Sequence, residues 1–65
     1  MNAIKATKEQ FIKAAEKAGW TFNGQQDDLL MFSRDDAIYG CAGMSAEVLN
    51  ETTIWGDESV AKFVE

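Results

Sequence analysis

Apolar positions recur first at helical spacing and then at every second residue. In residues 8–18, Phe11, Ala15 and Ala18 fall at intervals of four and three, and Ile12 widens the stripe. Lys8, Glu9, Lys13, Glu16 and Lys17 lie on the other side, so the segment reads as an amphipathic helix. Thr7-Lys8-Glu9-Gln10 is a capping box, in which the Thr7 hydroxyl and the Gln10 amide each satisfy a free backbone N–H. Gly19 is placed to end the helix in a left-handed turn, with Trp20 folding back over the last turn near Ala15.

From Trp20 the period becomes two. Trp20 and Phe22 point one way, Thr21 and Asn23 the other, and Asn23-Gly24 is a strong hairpin signal. Residues 25–28 either continue the hairpin or form a loop. Leu29 to Arg34 is a second strand, Asp35-Asp36 a tight turn, and Ala37 to Ala42 a third strand. Ser45 can cap a short helix over Ala46 to Asn50, although the same residues also suit an alternating strand running on to Trp55. The helix is the preferred reading, with extended chain over Thr52 to Trp55. Asp57 and Glu58 start a final helix with Val60, Phe63 and Val64 as its apolar stripe. The expected fold is α+β: an N-terminal helix on a three-stranded antiparallel meander, then short C-terminal helices, in one domain spanning residues 1–65.

Leu29-Leu30-Met31-Phe32 breaks the alternation, because four successive apolar side chains serve both faces of a strand. A half-exposed strand would interleave polar residues, so this one is expected to be covered on both faces. The N-terminal helix can cover one. The C-terminal segment or another molecule must cover the other.

Composition narrows the function classes. At 65 residues with a single cysteine and no histidine, the chain can form neither an internal disulfide nor a zinc ligand set, and no cofactor is expected. Met1 to Lys5 is too polar for a secretory leader, no apolar run approaches a membrane span, and the free thiol suits a reducing compartment. A cytoplasmic location is therefore expected. The net charge of −5 is uneven: four lysines against two glutamates make residues 1–20 +2, while residues 21–65 sum to −7. Such a field disfavours phosphate binding; it serves to keep a small protein soluble, and it also suits a partner with a basic surface.

Catalysis has few tools here. Without histidine the usual acid–base group is missing. Cys41 sits in an apolar strand without a basic neighbour in sequence and reads as packing. Ser59-Val60-Ala61-Lys62 matches a Ser-x-x-Lys pattern with none of its companion motifs, and Gly40-Cys41-Ala42-Gly43 lacks phosphate-loop spacing. The acid pairs Asp27-Asp28 and Asp35-Asp36 flank one strand about 23 Å long, too far apart to share a metal ion.

The α-β-β-β-α order is similar to that of double-stranded-RNA-binding domains and of small RNA-cleaving toxins of the same topology. Those proteins imply lysines at the start of the last helix or a catalytic histidine. Here that helix begins Asp57-Glu58 and histidine is absent, so the resemblance extends to element order alone. The function expected from the sequence is a small acidic protein-binding module without enzymatic activity, of the kind phage and mobile elements use as inhibitors of nucleic-acid enzymes. It would dock through Asp27, Asp28, Asp35 and Asp36 around an apolar centre that includes Tyr39 and Trp55. The alternatives are a nucleic-acid binder using Lys5, Lys8, Lys13 and Lys17, and a homodimeric structural protein.

Overall fold

The computed structural model describes residues 1–36 and 38–65. The elements are β1 (Asn2–Lys5), α1 (Lys8–Lys17), β2 (Thr21–Gln26), β3 (Leu29–Asp36), β4 (Gly40–Asn50), β5 (Thr53–Gly56) and α2 (Glu58–Ala61). The strands form one antiparallel sheet in the order β1-β5-β4-β3-β2. This corrects the expected three-stranded meander: the sheet has five strands, and the similarity of element order to double-stranded-RNA-binding domains goes with it.

Two segments account for the difference. Asn2–Lys5 pairs with Thr53–Gly56, placing Ile4 opposite Ile54 and burying both. One buried β-branched residue in a polar tetrapeptide is a faint strand signal. The second is Ala46 to Asn50, expected as a helix but continuous with β4. A helix of five residues is costly to nucleate. Here β3 and β5 supply ladder partners on both sides of Glu47, Ala46 pairs with Leu30 and Val48 with Ile54, and that pairing outweighs the local cap at Ser45.

The N-terminal helix follows its local signals. Thr7 Oγ1 accepts from Gln10 N–H at 3.2 Å, and Gln10 Oε1 accepts from Thr7 N–H at 2.9 Å. Gly19 has φ +97°, and the Trp20 N–H donates to the Ala15 carbonyl at 2.9 Å, closing the helix. Phe11, Ala14 and Ala15 are its buried residues. The β1–α1–β2 connection joins the two edge strands, so α1 crosses one face of the sheet, and its alanines allow a close approach. Val60 from α2 joins the same core as Phe11, Ile4, Leu30, Phe32, Ala46 and Ile54. Both helices therefore lie on one face.

Turn positions also differ from expectation. Asn23-Gly24 does not turn the chain; it is a bulge inside β2, where Phe22 faces Phe32 and Gly24 already faces Met31. Asp27-Asp28 makes the turn, with Asp27 at φ +54°, a conformation aspartate tolerates. Asp35 and Asp36 belong to β3, and the chain reverses after them. The expected third strand from Ala37 starts instead at Gly40; Ala37 lies outside the described residues.

Candidate docking surface

The register sorts β3 into two sides. Leu30 and Phe32 point inward and are buried, while Leu29 and Met31 point outward and are 43% and 41% exposed. The alternative in which the C-terminal segment covers this outer side is corrected, because α2 packs beside α1 on the inner face. Among the described residues, no helix lies on the outer face of the sheet.

Its apolar residues cluster. Ala3, Trp55, Glu47, Leu29 and Gln26 lie side by side in one row across β1, β5, β4, β3 and β2. Trp55 is 41% exposed and stands two strands, or about 10 Å, from Leu29. Met31, opposite Ser45, extends the patch along β3. Only Glu47 interrupts it. Asp27 and Asp28 form the turn beside Leu29, so these two carboxylates border the apolar row.

The other predicted site residues lie elsewhere. Asp35 sits on the outer face opposite Cys41, and Asp36 opposite Gly40, at the far end of the β3–β4 hairpin. Tyr39 is 81% exposed at the hairpin tip beside Ile38, which is 82% exposed. Tyr39 and the Trp55 row are separated by the strand from Gly40 to Glu47, about 23 Å. One centre therefore does not contain both aromatic residues. The patch around Trp55 is built instead with Leu29 and Met31, and their signal was the unbroken apolar run. Cys41 is exposed, not packed away as its apolar surroundings suggested.

Asp36 has a structural task. Its Oδ1 accepts from the N–H groups of Tyr39 and Ile38, at 2.9 and 2.8 Å, and these bonds hold its carboxyl below the usual aspartate range. Asp57 caps α2 by accepting from Ser59 N–H at 2.9 Å, which lowers its pKa likewise. Glu65 is lowered by its bond to Lys17. A carboxyl whose pKa is lower folded than unfolded favours the folded state while ionised. Stability is therefore expected to be level above about pH 5, then to decline as pH falls below the ordinary carboxyl values of about 3.9–4.3. Urea midpoints from pH 6 to pH 3 would check this, and Asp57→Asn should flatten part of the decline. A midpoint constant down to pH 3 would refute it.

Lys5, Lys8, Lys13 and Lys17 are divided between β1 and α1. Lys5 is on β1, opposite Thr53. On α1, Lys8 Nζ donates to Gln25 Oε1 at 3.1 Å, and Lys17 is paired with Glu65. Among the described residues no group of three histidine, cysteine or carboxylate side chains is placed to hold a metal ion, and no helix is long and apolar enough to cross a membrane. No protein-family model, curated protein or solved structure matches the chain.

Proposed function

We propose that this chain is a non-enzymatic protein-binding module that docks through the bare outer face of its sheet. The observation that carries this reading is the exposure of Leu29, Met31 and Trp55 together on a sheet face that no helix among the described residues covers. Exposed apolar side chains gathered on one face, bordered by polar groups, suit an interface more than an idle surface. Trp55 is the anchor, since tryptophan combines a large apolar area with a polar N–H. Glu47 lies beside it, Asp27 and Asp28 border the patch at Leu29, and residues 21–65 sum to −7, so the partner surface is basic around an apolar centre. The substrate groove of a nucleic-acid enzyme has that character, and occluding it would inhibit the enzyme sterically.

The test compares three baits in affinity capture from host lysate: the unaltered chain, Trp55→Ala, and Asp28→Lys with Asp35→Lys. Asp36 is left intact because it holds its turn. A genuine partner should be retained by the unaltered chain and lost at least about 30-fold with Trp55→Ala, the effect of removing an interface anchor. The charge-reversed bait should capture more slowly, and capture by the unaltered chain should weaken as salt rises. An identical set of proteins on all three baits would overturn the proposal.

A further inference from the structure

β4 is longer than its neighbour on one side. β5 pairs with Glu47, Val48 and Asn50 and ends at Gly56, which lies against Ala46. From Gly40 to Ser45, β4 has β3 on one side and, among the described residues, no strand on the other. Val48 N–H donates to the Asp28 carbonyl on the β3 side, so by the two-residue alternation Cys41, Gly43 and Ser45 aim their backbone groups at the open side. Among the described residues, none of these three takes part in a backbone hydrogen bond outside the ladders.

Open edges are normally guarded by charge, proline, a bulge or shortness. The other edges follow that rule: β1 has four residues and ends at Lys5, and β2 is bulged at Asn23. The segment Gly-Cys-Ala-Gly-Met-Ser has no charge, no proline and no bulge within its pairing to β3. We propose that two copies of this chain pair edge to edge through Gly40–Ser45, antiparallel and centred on Ala42.

That register is self-consistent. Ala42 faces its own copy, Cys41 faces Gly43 twice, and Met44 faces Gly40, so no charged residue opposes another. The two Cys41–Gly43 pairs exchange four backbone hydrogen bonds through the groups already aimed outward. Tyr39 of each copy then comes opposite Ser45 of the other, just short of where Gly56 takes over the edge. The exposed tip residues Ile38 and Tyr39 are brought against the second copy. An unrelated strand would fill the edge and leave them bare, which is why the occupant is a second copy.

Analytical ultracentrifugation from about 10 µM to about 1 mM tests this, the range in which a short edge pairing is expected to associate. The unaltered chain should show a dimer fraction that rises with concentration. It should rise again with salt, because each copy carries −5 and screening relieves their repulsion. Gly43→Pro removes an outward N–H without removing a β3 ladder bond and should weaken association at least about tenfold. Gly43→Ala should not weaken it, since the added Cβ meets nothing closer than the Phe32 carbonyl oxygen at 3.9 Å. If Gly43→Pro fails to fold by circular dichroism, Gly43→Lys replaces it, setting two like charges diagonally across the pairing on one sheet face, each beside the other copy's Cys41. A monomer up to 1 mM would overturn the proposal, as would association unchanged by the Gly43→Pro or Gly43→Lys substitution. Docking to a basic partner has the opposite salt dependence and should survive Gly43→Pro, so the two proposals fail separately.

Discussion

Leu30→Lys is expected to leave the chain unfolded at 25 °C, while Leu29→Lys, one residue away, should fold normally. Leu30 is fully buried under α1, facing Ala46 and sharing the core with Phe32. Replacing it forfeits about 1.5–3 kcal/mol of apolar burial and places an ammonium where no acid is buried to pair with it. Several further kcal/mol follow from desolvating the charge. The whole stability of a 65-residue domain is about 3–10 kcal/mol, so the loss is comparable to the total. Leu29 points outward beside Glu47, and a lysine there can pair across the strands. Its effect on stability should stay within about 1 kcal/mol. Its effect on docking should be large, because a cation then sits at the centre of a face proposed to meet a basic partner. Circular dichroism and urea titration of the two variants would decide. Unfolding of both would mean that the outer face is packed, and folding of both would mean that the core lies elsewhere.

That contrast bears on what was legible in the chain. The run Leu29 to Phe32 was readable as a strand with apolar groups on both sides, and so was the choice between cover by the chain and cover by another molecule. Choosing required knowing where α2 goes, which depends on long-range contacts with α1 and β1 that no local pattern encodes. Short-range chemistry was the most readable layer: the Thr7–Gln10 box, the Gly19 stop and the Asp57 cap all stand where their residues place them. Pairing was the least readable. Asn2–Lys5 is a strand because Thr53–Gly56 lies beside it, not because of its own composition. Ala46–Asn50 follows the same logic, since Ala42, Met44, Ala46 and Val48 alternate inward over a length that a capped helix reading cut in half. Asn23-Gly24 misled for a related reason. Positive φ at Gly24 serves a bulge as well as a turn, and only the partner strand distinguishes them. Among candidate site residues, Trp55, Asp27 and Asp28 fall at one patch, whereas Asp35 and Asp36 stand at the opposite end of the strand that both acid pairs flank, with Tyr39 at the hairpin tip beyond them.

Gly56 sits where the core has no room for a side chain beside Phe11, and this sets the other large expectation. A Cβ on Gly56 would stand 2.8 Å from Phe11 Cζ and 3.0 Å from Cε2, with Ala46 Cβ at 3.3 Å. The Phe11 ring is fully buried and cannot retreat freely, because its far side packs edge-on against Phe32 at 5.9 Å between centroids. Gly56→Ala should therefore cost about 1–3 kcal/mol, the range for overfilling a packed interior. Phe11→Ala should cost about 3–5 kcal/mol, since it empties the space between α1 and the sheet, and on its own it brings the domain to the edge of unfolding. The decisive variant is milder. Phe11→Leu deletes the Cζ and Cε2 atoms that crowd position 56 while keeping an apolar side chain on the helix. In that background Gly56→Ala should cost less than half of what it costs alone, a coupling of about 0.5–3 kcal/mol between directly touching residues. Urea midpoints of the four chains of this cycle would measure it. Additive losses would mean that the added methyl is opposed by Ala46 and not by the aromatic ring seated on the glycine.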